Sequence, residues 1–130
     1  MKRILIVDDK ATSRELLRTV LERDGYSVSE AVDGGEAVEK TRAESPDLIL
    51  LDLQMPVRNG YEVLSELRQD SRYAGLPIIA LTASAMEGDR ARALAAGFTA
   101  YLTKPVTLSN LREVVQRLLT PAKSTTSGLS

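Results

Sequence analysis

Leu48-Ile49-Leu50-Leu51-Asp52 is the stretch that decides the fold, because it is the most apolar run of the chain and it ends in an acid. A run of this kind reads as the central strand of a sheet covered on both faces. Three further runs end in the same manner. Ile4-Leu5-Ile6-Val7 leads into Asp8-Asp9, Ile78-Ile79-Ala80-Leu81 into Thr82, and Ala100-Tyr101-Leu102-Thr103 into Lys104-Pro105. If these runs are parallel neighbours, their carboxyl ends meet at one sheet edge, where open α/β sheets place their ligand sites. Three carboxylates, a hydroxyl and an ammonium then converge on one cleft, a set suited to a divalent cation and a phosphoryl group.

Between the strands lie helix-like periods, and this alternation is the signature of βαβ units on a parallel sheet. Strands are expected at about residues 3–7, 27–31, 48–52, 77–82 and 100–103. Ser27-Val28-Ser29-Glu30-Ala31 alternates with polar residues and reads as an edge strand. In the first helix Leu16, Leu17, Val20 and Leu21 form a buried stripe, with Gly25 as its left-handed cap. Asp33 with Glu36, Asn59 with Glu62, and Ser84 with Glu87 read as capping boxes opening the second, third and fourth helices. Val63, Leu64 and Leu67 make the inner face of the third, and Gly97 follows the fourth. Leu111, Val114, Val115, Leu118 and Leu119 give the fifth a 3.6-residue stripe. The fold class is therefore α/β, a doubly wound (βα)5 domain over residues 1–120. Pro121 stops the last helix, and residues 121–130 read as a small, polar, disordered tail.

Bulk properties narrow the function classes. With 130 residues, 43% hydrophobic and 27% charged, the chain fits one ordinary globular domain. A formal net charge of −1 gives no general affinity for nucleic acid or acidic membranes. The absence of cysteine removes thiolate chemistry, and the absence of histidine removes a catalytic triad and a histidine metal site. The apolar run after Met1-Lys2-Arg3 is shorter than a signal-peptide core, and nothing approaches the roughly 20 apolar residues of a membrane span. A cytoplasmic protein is expected.

The cleft residues each have an ordinary use as well. Acids after a strand serve helix N-termini, a strand-end lysine is commonly a solvated charge, and threonine and tyrosine are frequent in strands. Their convergence changes the weighting. Three carboxylates packed together repel one another unless a cation intervenes, and Mg2+ prefers oxygen ligands with few protein carboxylates. Asp52 is the candidate nucleophile, since a carboxylate can attack phosphorus to give an acyl phosphate. Lys104 supplies a compact positive charge for Asp52 or a phosphoryl oxygen, and Pro105 makes a cis peptide bond available after it. Thr82 can donate to a phosphoryl oxygen, and Tyr101 can change rotamer when Thr82 moves.

The acid pair Asp8-Asp9, the stretch Asp52-Leu53-Gln54-Met55-Pro56, Leu81-Thr82-Ala83 and Lys104-Pro105 stand in the order and at the spacing of response regulator receiver domains. Over residues 2 to about 120 the chain resembles that CheY-like family, most closely its stand-alone and hybrid-kinase receivers. The resemblance implies a five-stranded sheet in the order 2-1-3-4-5. It implies Asp52 as phosphoacceptor, with Mg2+ (or Mn2+ in its place) held by Asp9, Asp52 and the Gln54 backbone carbonyl, and by Asp8 through water. Thr82, Ala83 and Lys104 would hold the phosphoryl group, Thr82 and Tyr101 would form the switch, and Gly60 and Pro105 would serve structure. The implied donor is a phosphohistidine on a histidine kinase or phosphotransfer protein. The implied output is a downstream protein bound on the face of the fourth helix, fifth strand and fifth helix, where Arg90, Arg92, Tyr101, Arg112 and Glu113 are available. Nucleic acid and membrane are not implied partners, and a monomer or weak homodimer is expected. Lys10 beside the acid pair and Arg58 before Asn59-Gly60 depart from the common pattern and place two positive charges near the cleft.

Other readings are weaker. An aspartyl phosphatase needs a second acid two residues after its nucleophile, where this chain has Gln54. A flavodoxin-like nucleotide binder needs a Gly/Ser/Thr-rich loop after the first strand, where Asp8-Asp9 would repel phosphate. A receiver that binds partners without phosphorylation would not need all five cleft residues.

Overall fold

The computed structural model describes residues 1–55, 58–83 and 86–120. Strands and helices alternate in the order β1 (Arg3–Val7), α1 (Ala11–Arg23), β2 (Ser27–Ala31), α2 (Gly34–Glu44), β3 (Leu48–Asp52), α3 (Gly60–Arg68), β4 (Ile78–Thr82), α4 (Asp89–Ala96), β5 (Ala100–Thr103) and α5 (Leu108–Leu119), with a 3-10 turn at Ser71–Tyr73 after α3. The strands form one parallel sheet in the order β2-β1-β3-β4-β5. All five residues of β3 are buried, as a central strand requires, whereas β2 lies at the edge and buries only Ala31 fully.

The pleat sorts the apolar runs into two cores. Ile4, Ile6, Leu48, Leu50, Ile79 and Leu81 face α1 and α5, where they meet Leu17, Val20, Leu21, Leu111 and Val115. Leu5, Val7, Ile49, Leu51, Ile78 and Ala80 face the opposite way, against Val38, Val63, Leu64, Leu67 and Ala93 of α2, α3 and α4. Unbroken apolar strands are thus explained by helices on both faces, and the polar residues that end them are left at one edge.

Several local expectations are refined. Leu16 is 59% exposed, because Leu17, Val20 and Leu21 already complete the inward face and Leu16 lies on its flank. Asn59 and Glu62 form a reciprocal capping box. At Asp33 only half of the box forms: Asp33 accepts from the Glu36 N–H, while Glu36 accepts from Val32 N–H, one residue further out. The fourth helix starts at Asp89, later than a Ser84 cap implies, since Gly88 at φ +89° breaks helical geometry between Glu87 and Asp89. Ser84 itself lies outside the described residues, as do Pro56 and the expected tail 121–130. Gly25 adopts the positive φ expected after α1, and Gly97, which follows α4, has a positive φ as well.

Candidate functional site

Parallel register brings the four strand ends together. Asp8 follows β1, Asp52 and Thr82 close β3 and β4, and Lys104 follows β5. Asp8 and Asp52 are buried, at 0% and 3% exposure, while Asp9 is exposed. One carboxylate oxygen from each of these three acids lies within 4.8 Å of the others. Lys104 Nζ donates to Asp8 Oδ2 at 2.8 Å and lies 3.4 Å from Asp52 Oδ2. The Lys104 backbone N–H donates to the Thr82 carbonyl at 2.7 Å, which ties the end of β5 to β4. The Lys104–Pro105 peptide bond is cis, the form that Pro105 makes available.

Each buried acid is also held by local backbone. Asp8 Oδ1 accepts from Lys10 N–H at 2.9 Å, and Asp52 Oδ1 accepts from Gln54 N–H at 2.9 Å. Burial pushes the Asp52 carboxyl above its ordinary value. The Gln54 N–H and the Lys104 charge oppose that rise, and the Asp8 charge adds to it. For Lys104, burial favours the neutral amine, but the hydrogen bond to Asp8 and the charges of Asp52 and Asp8 outweigh it and raise its pKa. Lys104 thus serves the two buried acids, the exposed Asp9 carboxylate lies beside them, and the three acids outnumber the one lysine bonded among them. An oxygen-liganded divalent cation fits that imbalance.

Gly60 shapes the loop after Asp52. A Cβ there would lie 2.8 Å from the Asp52 carbonyl oxygen and 2.9 Å from Leu53 Cα, so α3 starts closer to the end of β3 than any side chain permits. Arg14, which sequence reasoning missed, donates to the Asp8 carbonyl at 2.7 Å and to Glu30 Oε1 at 2.8 Å, bracing the acid loop against β2. Its only signal was its position one turn into α1. Arg58 is drawn elsewhere than expected: it pairs with Glu66 at 2.7 Å and packs against Gly34, so its charge is committed to α3.

Thr82 and Tyr101 are both buried and both line a cleft of about 200 Å3 between β4, β5, α3 and α4. Tyr101 also borders a groove of about 500 Å3 with Arg90, Asn110, Glu113 and Arg117. Arg112 does not share in that groove, because its guanidinium pairs with Asp24 at 2.9 Å at the end of α1. Arg92 pairs with Asp89 at 2.9 Å and lines the smaller cleft.

A family model described as the response regulator receiver domain matches residues 4–116. The chain belongs to that family. As a receiver, it is 36% identical over 118 residues to the polar-differentiation response regulator DivK of Brucella anthropi, a match covering 91% of this chain and 96% of that protein. Among solved structures, chemotaxis protein CheY4 of Vibrio cholerae shares its fold at a TM-score of 0.85 and 34% identity, covering 92% of this receiver and 99% of CheY4. The receiver domain of sensor histidine kinase PA1611 from Pseudomonas aeruginosa, described with a magnesium ion coordinated in its active-site cleft, matches at a TM-score of 0.84 and 36% identity, covering 92% and 98% of the two chains. These likenesses establish the receiver fold and a role in two-component signalling. No helix of the described residues is long and apolar enough to cross a membrane.

Proposed function

We propose that residues 1–120 form a phosphorylation-dependent switch that accepts a phosphoryl group on Asp52 from a phosphohistidine of a kinase or phosphotransfer protein. The observation that carries this reading is the juxtaposition of Asp8, Asp9 and Asp52, with Lys104 bonded to the two buried acids. Asp52 is the nucleophile: its carboxylate attacks phosphorus as the phosphorus–nitrogen bond of the donor breaks, and the imidazole leaves. Asp8, Asp9, Asp52 and the Gln54 carbonyl would hold Mg2+, or Mn2+ in its place. Mg2+ supplies charge neutralisation for the transferring group. Asp52 is buried and fixed by the Gln54 N–H, so its orientation is set before the donor arrives. Lys104 is within reach of the same centre and can pass from Asp8 to a phosphoryl oxygen. The chain lacks histidine, so the donor is a separate protein or domain.

The acyl phosphate adds negative charge and acceptor oxygens where a carboxylate stood. Thr82, with Ala83 beside it, would be drawn toward those oxygens, and Tyr101 would move into the space released. The groove of α4, β5 and α5 changes shape as Tyr101 moves, and a partner that prefers one shape shifts the population. The reading gives a signalling domain that assists its own phosphorylation, acting in the cytoplasm through protein partners.

A labelled phosphohistidine donor incubated with this chain and Mg2+ tests the reading. Label should move to the wild-type chain and not to Asp52→Asn; label on the mutant would place the acceptor elsewhere.

A further inference from the structure

Among the described residues, one buried side-chain polar atom has no hydrogen-bond partner: the hydroxyl of Tyr61. Tyr61 is the second residue of α3. Its ring stacks edge-to-face on Phe98, with centroids 5.5 Å apart and planes at 80°, so the ring has a packing role and the hydroxyl has no use in this arrangement. A hydroxyl buried without a partner costs stability and calls for an explanation, of which use in another state of the protein is one. Tyr61 lines the small cleft together with Thr82, Tyr101, Asp89 and Arg92. The Asp89 and Tyr61 groups both push the Tyr101 phenol upward after burial has done so, which marks the three as electrostatic neighbours.

The wall opposite Tyr61 is the least anchored of the helices. α4 has eight residues, buries Ala93 alone, and starts at Gly88 with no side-chain cap. Among its interactions, Asp89 in the first turn of this helix accepts from Met86 N–H at 3.2 Å and from Arg92 at 2.9 Å. Six residues separate Thr82 from Asp89 in the sequence, and both side chains line the same cleft.

We propose that Tyr61 is a third member of the switch, whose hydroxyl is unpaired at rest and donates to the Asp89 carboxylate once Thr82 is drawn toward a phosphorylated Asp52. This rests on the phosphoacceptor reading above. The hydroxyl then lowers the energy of the phosphorylated arrangement relative to the resting one and holds α4 in its new place. Arginine–aspartate pairing within α4 survives, since a carboxylate accepts several bonds.

The test uses fluoroberyllate with Mg2+ as a phosphoryl analogue and compares wild type with Tyr61→Phe, which keeps the ring against Phe98. Without ligands, Tyr61→Phe should melt at the wild-type temperature or above it. Its Mg2+ affinity should be unchanged, and its fluoroberyllate affinity about five- to tenfold weaker, the loss of one hydrogen bond made only in the activated state. In an Asp89→Ala background the same substitution should have no further effect on fluoroberyllate affinity. Equal fluoroberyllate affinities, or a resting melting temperature lowered by Tyr61→Phe, would overturn the assignment. An undiminished effect in the Asp89→Ala background would overturn Asp89 as the partner. Failure of the wild type to bind fluoroberyllate would instead remove the phosphoacceptor reading itself.

Discussion

Lys104 Nζ sits 2.8 Å from Asp8 Oδ2, closer than to Asp52, so at rest the lysine chiefly holds the acid that follows β1 rather than the proposed phosphoacceptor. This contact joins the two ends of the sequence, 96 residues apart, across the sheet edge. Removing the lysine leaves two buried carboxylates without their shared cation. Lys104→Met should destabilise the protein without divalent cation by about 1–3 kcal/mol, less than a fully buried pair would cost because the lysine is partly exposed. Urea denaturation should show this loss, and Mg2+ should restore part of it.

Asp52→Asn should act in the opposite direction. Burial raises the Asp52 pKa, so the folded chain holds that proton more tightly than the unfolded chain does. Ionisation of Asp52 thus opposes folding: the deficit is absent below the ordinary carboxylate value, near 4, and grows as pH rises through the raised folded value. Without Mg2+, Asp52→Asn should be more stable than wild type at pH 7, with the difference shrinking toward pH 4. A wild type that is the more stable at pH 7 would contradict the assigned electrostatics.

Asp9 is exposed whereas Asp8 is buried and lysine-bound, so the two acids of the pair should separate experimentally. Asp9→Asn should leave stability without metal within about 0.5 kcal/mol of wild type. Calorimetric titration should show its Mg2+ affinity reduced by about tenfold or more, with a correspondingly smaller rise in melting temperature on adding Mg2+.

Gly60→Ala would place a methyl group 2.8 Å from the Asp52 carbonyl oxygen. The start of α3 must then shift, costing about 1–3 kcal/mol and displacing the Gln54 segment that orients Asp52. Thermal melting and Mg2+ titration should both register the change; unaltered values would show that the loop accommodates a side chain.

How far the sequence carried is best judged from particular residues. The strand ends were readable because an unbroken apolar run can be satisfied only between two helical layers, which leaves its polar terminus at the edge. The acids, Thr82 and Lys104 were therefore placed from sequence, and the family resemblance supplied the strand order. Leu16 was misjudged because a helical stripe has flanks that periodicity does not resolve. The fourth helix was opened too early because a Ser-x-x-Glu pattern is blind to a glycine at positive φ downstream. Arg14, Arg58 and Arg112 could not be placed: a long side chain chooses among several carboxylates, and only the folded chain shows that these are Glu30, Glu66 and Asp24. Tyr61 was invisible for a related reason, since an unpaired hydroxyl is a property of its surroundings.

The central claim, that Asp52 accepts a phosphoryl group with the help of Mg2+, is tested most directly by intact mass after incubation with acetyl phosphate. Wild type with Mg2+ should gain one phosphoryl group, about 80 Da. Wild type without divalent cation and Asp52→Asn with Mg2+ should gain nothing. An unchanged wild-type mass with Mg2+, or an equal gain in Asp52→Asn, would contradict the account.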